Sequence, residues 1–228
     1  MSETIQYELS DSVGTLTITR PARHNSLGGV ELDAMERVLD VISEDSEIRV
    51  LVVTGAGEKT FCAGAAIEDL DSGRITPEGF QKVMHRIAVL PIPTIARVNG
   101  NVFGGGTELA LSCDLRVGVE GTRLRVPAAA LGLCYPPAGI GRFVEKLGAN
   151  TARRMLVASE TFGAEELLRL GFYDHLVPVE KLDERVEELA LHIAGLAPLA
   201  VKAMKELVQQ AEGGAIDIAR ANELARIC

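Results

Sequence analysis

Three consecutive glycines at residues 104–106 constrain the fold of this chain more than any other feature. Before them, Thr94–Val98 is a short run rich in β-branched residues, which predicts a buried strand. After them, residues 107–113 have the composition of a helix. Glycine leaves the main chain open to a ligand, and a helix start offers free N–H groups where the helix dipole favours negative charge. The sequence therefore predicts an anion-holding corner at this strand-to-helix turn.

Glu108 lies in the first turn of the predicted helix, directly after the glycines. A carboxylate at a helix start is also favourable for the helix itself, through the dipole. Beside a site that holds a developing anion, however, the same carboxylate can give or take a proton. The position therefore marks Glu108 as the candidate acid or base of the chain.

Strands and helices alternate along the first part of the chain, and the second half is mostly helical. The predicted strands are residues 5–9, 15–19, 50–53, 94–98, 115–119, 124–126 and 175–177. Helical patterns follow Gly28 and Gly29 and occupy residues 65–70, 77–89, 107–113, 141–147, 151–158, 164–170, 183–196, 198–211 and 216–227. This alternation is typical of an α/β fold whose parallel sheet has crossover connections.

Composition excludes several classes of partner. A formal net charge of −9 argues against nucleic acid and anionic membranes, which attract concentrated Lys and Arg. No apolar run approaches the roughly 20 residues of a membrane span, and the N-terminus lacks the pattern of a signal peptide. The cysteines show no metal-ligand spacing. We therefore expect a cytoplasmic protein with reduced thiols, no metal site and no membrane span.

Five segments carry a resemblance to a known family. They are RPARHNSL at 20–27, FCAGAAI at 61–67, GNVFGGGTELALSCD at 100–114, LGL at 131–133 and APLAVKAMK at 197–205. With these segments the chain resembles the crotonase (enoyl-CoA hydratase/isomerase) superfamily over nearly its whole length. The resemblance implies a spiral core of ββα units over residues 1–195 and a helical C-terminal region over 196–228. That region looks shortened by one helix relative to the family, and a homotrimer or hexamer is implied.

The resemblance also implies an activity, on acyl-CoA thioesters of fatty acid metabolism. Coenzyme A would be part of the substrate, and no further cofactor is implied. The N–H groups of Ala65 and Gly105 would form an oxyanion hole for the thioester oxygen, with Glu108 as acid and base. The implied substrate-binding residues are Arg23, Ala63, Ala66, Ile67 and Gly104.

One family residue is missing from this sequence. A family hydratase uses a second glutamate, and the matching position here is Ala128, with no Asp or Glu between Glu120 and Glu145. The two-carboxylate hydration of the family therefore does not carry over. We expect a one-glutamate reaction within the enoyl-CoA hydratase/isomerase group, with a hydro-lyase as the first expectation.

Two alternatives stay open. Tyr135 matches a tyrosine that contacts the departing carboxylate in family members that decarboxylate malonyl-type CoA thioesters, although Ala65 stands where such an enzyme has histidine. Tyr135 is therefore a second candidate catalytic residue; it is also the type of residue that lines a pocket with its hydroxyl bonded. The other alternative is a non-catalytic CoA-binding subunit, which the alanine at the second acid position would explain.

Overall fold

A computed structural model describes residues 3–228 of the chain. The strands are β1 (Ile5–Ser10), β2 (Val13–Ile18), β3 (Val50–Gly55), β4 (Thr60–Cys62), β5 (Thr94–Val98), β6 (Asn101–Phe103), β7 (Leu115–Val119), β8 (Arg123–Arg125), β9 (Thr161–Gly163) and β10 (His175–Val177). The helices are α1 (Gly29–Glu44), α2 (Ile67–Asp71), α3 (Pro77–Ala88), α4 (Gly105–Leu111), α5 (Pro137–Leu156), α6 (Ala164–Arg169), α7 (Leu182–Ala194), α8 (Pro198–Glu212) and α9 (Ile218–Ile227).

The larger sheet has six strands in the order β1-β2-β3-β5-β7-β10. β1 and β2 form an antiparallel hairpin, whose turn residues Asp11 and Ser12 both have positive φ, and all other pairs are parallel. Every residue of β3 is buried, as its run of β-branched residues predicted. The parallel sheet expected from the sequence is confirmed.

A second sheet of four short strands, in the order β4-β6-β8-β9, carries the glycine turn. The strand directly before the glycines is β6 in this sheet, and the predicted strand β5 belongs to the larger sheet. The expectation that β5 itself ends at the glycines was therefore wrong. β4, β6 and β9, each of three residues, were not predicted from the sequence, although the equally short β8 and β10 were.

The helices cover the sheets much as the pattern predicted, with one difference. The predicted helices at 141–147 and 151–158 are one element, α5, with a bend at Gly148, where φ is +77°. The apolar face of α7 packs against the larger sheet. Its buried residues Leu182, Val186, Ala190 and Ala194 meet Val50, Val52, Ile95 and Val117 of the strands.

The α/β class and the helical C-terminal region are confirmed by these elements. The boundary between residues 195 and 196 stays a prediction, and residues 1 and 2, on which the absence of a leader was partly judged, lie outside the described residues. Within residues 3–228, no helix combines the length and hydrophobicity needed to cross a membrane.

Candidate active site

The candidate site forms where two glycine-containing loops touch. β4 and β6 are parallel neighbours, so the loop after β4 (residues 63–65) and the glycines after β6 lie at the same edge of the second sheet. Gly64 has φ of +82°, and a Cβ atom on it would collide with the backbone nitrogen of Gly105. A Cβ atom on Gly106 would collide with the carbonyl oxygen of Cys62. Only glycine allows the two main chains to approach this closely.

The N–H group of Ala65 points away from the segment that pairs with it, which contains Leu27. Leu27 and Ala65 form a parallel bridge in which the Leu27 N–H donates to the Gly64 carbonyl and the Leu27 carbonyl accepts from the Ala66 N–H. In such a bridge the N–H of the middle residue, Ala65, faces the opposite side. Within residues 3–228 this N–H has no hydrogen-bond acceptor.

Gly105 is the first residue of α4, so its N–H has no acceptor inside the helix. No other acceptor for it is found in the part of the chain that the structure describes. The two loops in contact therefore each present a main-chain donor, from Ala65 and Gly105. Two such donors can bind one negatively charged oxygen without any change in the protein.

Glu108 lies one turn into α4, and its residue is only 1% exposed. The Arg142 Nη1 atom donates to its Oε1 atom at 2.9 Å, and Arg142 is itself buried. The Gln81 side chain approaches the same carboxylate from α3 and lowers its pKa as a hydrogen-bonding neighbour. Burial raises the pKa of Glu108 above its usual range, and the bonds from Gln81 and Arg142 act in the opposite direction.

Gly139, near the start of α5, lies at the meeting point of these side chains. A Cβ atom on Gly139 would lie 2.9 Å from Gln81 Nε2, 3.1 Å from Glu108 Oε1 and 3.1 Å from Tyr135 Cδ1. Three polar side chains from three different segments therefore converge at the glycine corner. The Ala65 and Gly105 N–H groups can bind an anion, and Glu108 can give or take a proton beside it.

A family model and several relatives match this chain. The model described as Enoyl-CoA hydratase/isomerase matches residues 8–223. The chain belongs to the enoyl-CoA hydratase/isomerase family. This confirms the resemblance on which the sequence predictions were based.

Individual relatives in the family share about a third of their residues with this chain. The short-chain-enoyl-CoA hydratase of Clostridium acetobutylicum is 35% identical over 95% of this chain and 85% of its own. The carnitinyl-CoA dehydratase of Escherichia coli K12 is 35% identical over 91% of this chain and 80% of its own. The crystal structure of an enoyl-CoA hydratase from Bacillus anthracis is 30% identical, covers 99% of this chain and 89% of its own, and superposes with a TM-score of 0.89. The crotonase-like fold is thereby confirmed.

Tyr135, the second predicted catalytic residue, lies beside Glu108 in this family site. It is half-buried, and its ring meets Phe143 edge-on at a centroid distance of 5.7 Å. Burial, and then the nearby Glu108 carboxylate, raise the pKa of the Tyr135 hydroxyl, so it stays protonated and able to donate. Ala128, the residue that the resemblance matches to the second family glutamate, is buried.

The predicted substrate-binding residues are placed along the first loop and next to the glycines. Ala63 lies in the loop with its N–H bonded to the His24 carbonyl, and Ile67 is an exposed residue at the start of α2, directly after Ala66. The Gly104 N–H donates to the Arg125 carbonyl. Arg23 forms an exposed ion pair with Glu68 at 3.2 Å. Their roles in binding stay predictions.

Two residues of the site, Gln81 and Arg142, were missed by the sequence predictions. Both are polar residues on the apolar faces of amphipathic helices, α3 and α5, where the neighbouring buried residues include Phe80 and Phe143. A polar side chain at such a position is a signal that was available in the sequence. In residues 3–228, no group of three or more His, Cys, Asp or Glu side chains is arranged to hold a metal ion.

Proposed function

We propose that this chain is a hydratase-type enzyme that acts on 2-enoyl-CoA thioesters with a single carboxylate. In this proposal the N–H groups of Ala65 and Gly105 bind the thioester oxygen, and Glu108 transfers the proton. The observation that carries the proposal is the buried Glu108 carboxylate, held by Arg142 and Gln81, at a corner where two main-chain donors have no partner in residues 3–228.

The chemistry needs a place for negative charge. When water adds to the β-carbon of an enoyl thioester, the electron pair of the double bond moves through the α-carbon onto the thioester oxygen. Two fixed N–H dipoles stabilise this enolate without reorganising, and one such donor typically contributes about 3 kcal/mol to the transition state. Glycine and alanine in both loops leave room for the main chain to reach that oxygen.

Glu108 must act twice in this reaction because alanine, at residue 128, takes the position of the second carboxylate. As the carboxylate, it takes a proton from the water whose oxygen bonds to the β-carbon. As the carboxylic acid, it returns a proton to the α-carbon, the enolate collapses to the thioester, and the carboxylate is restored. A raised pKa suits this alternation, because acid and base forms are then closer in free energy near neutral pH.

The names of the relatives favour the same class of reaction. The Clostridium protein is named a short-chain-enoyl-CoA hydratase and the Escherichia protein a carnitinyl-CoA dehydratase, so both names describe the addition or removal of water. From these names we infer that the substrate of this chain is an acyl-CoA thioester, in which coenzyme A carries the acyl group, and that no separate cofactor is needed. A homotrimer or hexamer stays part of the proposal.

Decarboxylation of a malonyl-type CoA thioester is the second candidate function. The observation that favours it is the position of the Tyr135 ring next to Glu108, since Tyr135 Cδ1 and Glu108 Oε1 both lie 3.1 Å from the Cβ position of Gly139. Tyr135 would orient the substrate carboxylate, loss of CO₂ would leave an enolate on the same two N–H donors, and protonated Glu108 would supply the α-proton. This reaction needs no attacking water, which distinguishes it from hydration.

Crotonyl-CoA and methylmalonyl-CoA, tested side by side with the pure protein, distinguish these functions. Hydration of crotonyl-CoA without CO₂ release from methylmalonyl-CoA would support the hydratase. CO₂ release that is lost in Tyr135→Phe would support the decarboxylase instead. Calorimetric binding of both thioesters without turnover of either would contradict both and favour a non-catalytic CoA-binding subunit.

A further inference from the structure

We propose that the Gln81 side chain is a second hydrogen-bonding group for the reacting water and for the β-hydroxyl group of the hydrated product. The proposal rests on the proposed hydratase function and goes beyond it by assigning a residue that touches the reacting atoms. The observation behind it is a buried acceptor, Gln81 Oε1, that has no hydrogen-bond donor in residues 3–228.

Gln81 is placed in the site by α3, whose buried face it shares with Phe80 and Met84. The residue is 9% exposed, and its Nε2 atom lies near the point at Gly139 where Glu108 also converges. An ionised carboxylate only accepts hydrogen bonds, so the amide must turn its NH₂ group toward Glu108. Gln81 Oε1 is therefore the atom that remains for a ligand.

A buried acceptor without a donor costs about 1–3 kcal/mol of desolvation, so a ligand that donates there is favoured. Gln81 Oε1 and Thr107 Oγ1 are the two such side-chain atoms on the site helices α3 and α4, among those that the structure describes. The acyl part of an enoyl-CoA thioester near its double bond has no hydrogen-bond donor. The O–H groups available at that point are those of the attacking water and of the β-hydroxyl product.

This assignment gives the single-carboxylate site a second contact to water. Ala128 has no polar side chain to hold that water, and an amide can orient it without taking its proton. Proton transfer and orientation are thereby divided between two residues. Glu108 takes the proton, while Gln81 Oε1 accepts from the other O–H and fixes the oxygen in place.

The test compares two ligands that differ by one hydroxyl group, butyryl-CoA and 3-hydroxybutyryl-CoA, by calorimetry. We expect the wild type to bind the hydroxylated thioester more tightly, and Gln81→Met to lose about fivefold to tenfold of that preference. The same substitution is then made in the Glu108→Gln variant. If Gln81 contacts the hydroxyl group directly, Gln81→Met must reduce the preference for 3-hydroxybutyryl-CoA there too, whereas an effect through Glu108 would disappear. Gln209→Met, which removes a partly buried amide from α8, is the matched control and leaves the preference unchanged.

A wild type without preference for the hydroxyl group, or an unaltered preference in Gln81→Met, would overturn the inference. So would a preference that Gln81→Met reduces only while Glu108 is present. Gln81→Ala replaces Gln81→Met if the latter does not fold. The binding comparison needs no turnover, so absence of crotonyl-CoA hydration by the wild type would reject the proposed function on separate evidence.

Discussion

At Glu108, burial and charge act in opposite directions on one carboxyl group. Burial raises its pKa, whereas the hydrogen bond from Gln81 and the charge of Arg142 lower it. The ion pair with Arg142, at 2.9 Å between buried groups, favours the ionised form against the effect of burial. The base form of Glu108 therefore depends on Arg142.

Arg142→Met should move the acidic limb of the hydration rate to higher pH. Loss of the guanidinium charge raises the pKa of Glu108 further, so the carboxylate needed as base forms only at higher pH. We expect turnover of crotonyl-CoA to fall by about tenfold or more at the acid end and to recover toward the alkaline end. The measurement is kcat/KM against pH.

The matched controls for this change are Arg142→Lys, which keeps the positive charge, and Arg153→Met, which removes an exposed arginine from the same helix. Arg142→Lys should retain most of the wild-type pH profile, and Arg153→Met all of it. A uniform loss of rate in Arg142→Met, with an unshifted profile, would show that Arg142 only supports the fold.

For single residues, the sequence predicted a candidate where a titratable side chain directly follows a glycine turn. Glu108 was selected as a candidate because it follows the glycines directly, and its catalytic role stays a prediction. Arg142 and Gln81 come from helices 34 and 27 residues away in sequence, as the numbering shows. The polar residue on the apolar face of each helix marks Gln81 and Arg142 as unusual, but only the packing of α3 and α5 against α4 shows that both meet Glu108.

At the scale of elements, the close contact between the two loops depends on Gly64. Its φ is positive, a conformation that costs free energy in residues with a Cβ atom. A Cβ atom on Gly64 would also collide with the backbone nitrogen of Gly105. The short strands β4 and β6 set the two loops in register. Neither strand was predicted from the sequence, although the loops that follow them were.

Gly64→Ala should lower both the free energy of unfolding and the affinity for an acyl-CoA thioester. Gly73→Ala is the matched control, because Gly73 also has positive φ (+70°) but no atom within 4 Å of its Cβ position. The control should cost about 1–2 kcal/mol from backbone conformation alone. Overpacking should add about 1–3 kcal/mol in Gly64→Ala. Equal losses for both variants in urea unfolding would contradict close contact at Gly64.

At the scale of the whole molecule, a partly buried ion pair joins the C-terminal region to the core. Lys205 of α8 contacts Asp114 Oδ2 at 2.6 Å and the Ile92 carbonyl oxygen at 2.8 Å, and Asp114 also accepts from the Thr94 N–H and hydroxyl. The α/β class and the order of most elements could be predicted from hydrophobic periodicity. The Lys205 contact could not, because it joins residues 91 positions apart.

Lys205→Met should destabilise the protein because it leaves Asp114 without its cation. Breaking a buried pair costs about 3–5 kcal/mol, and Asp114 is partly exposed, so we expect about 1–3 kcal/mol. Lys202→Met, on the same helix and without an ion pair in the described residues, should change stability little. Thermal unfolding of the two variants makes the comparison, and equal melting temperatures would show that the ion pair does not anchor α8.

In the proposed acyl-CoA reaction, Glu108 carries the proton next to two main-chain donors. The most direct test of this role is hydration of crotonyl-CoA by the wild type and by Glu108→Gln, with thioester binding measured on both. We predict turnover by the wild type, a loss of about 10²–10⁴-fold in Glu108→Gln, and binding that is largely retained. Fast hydration that Glu108→Gln leaves unchanged would contradict the proposed role of Glu108.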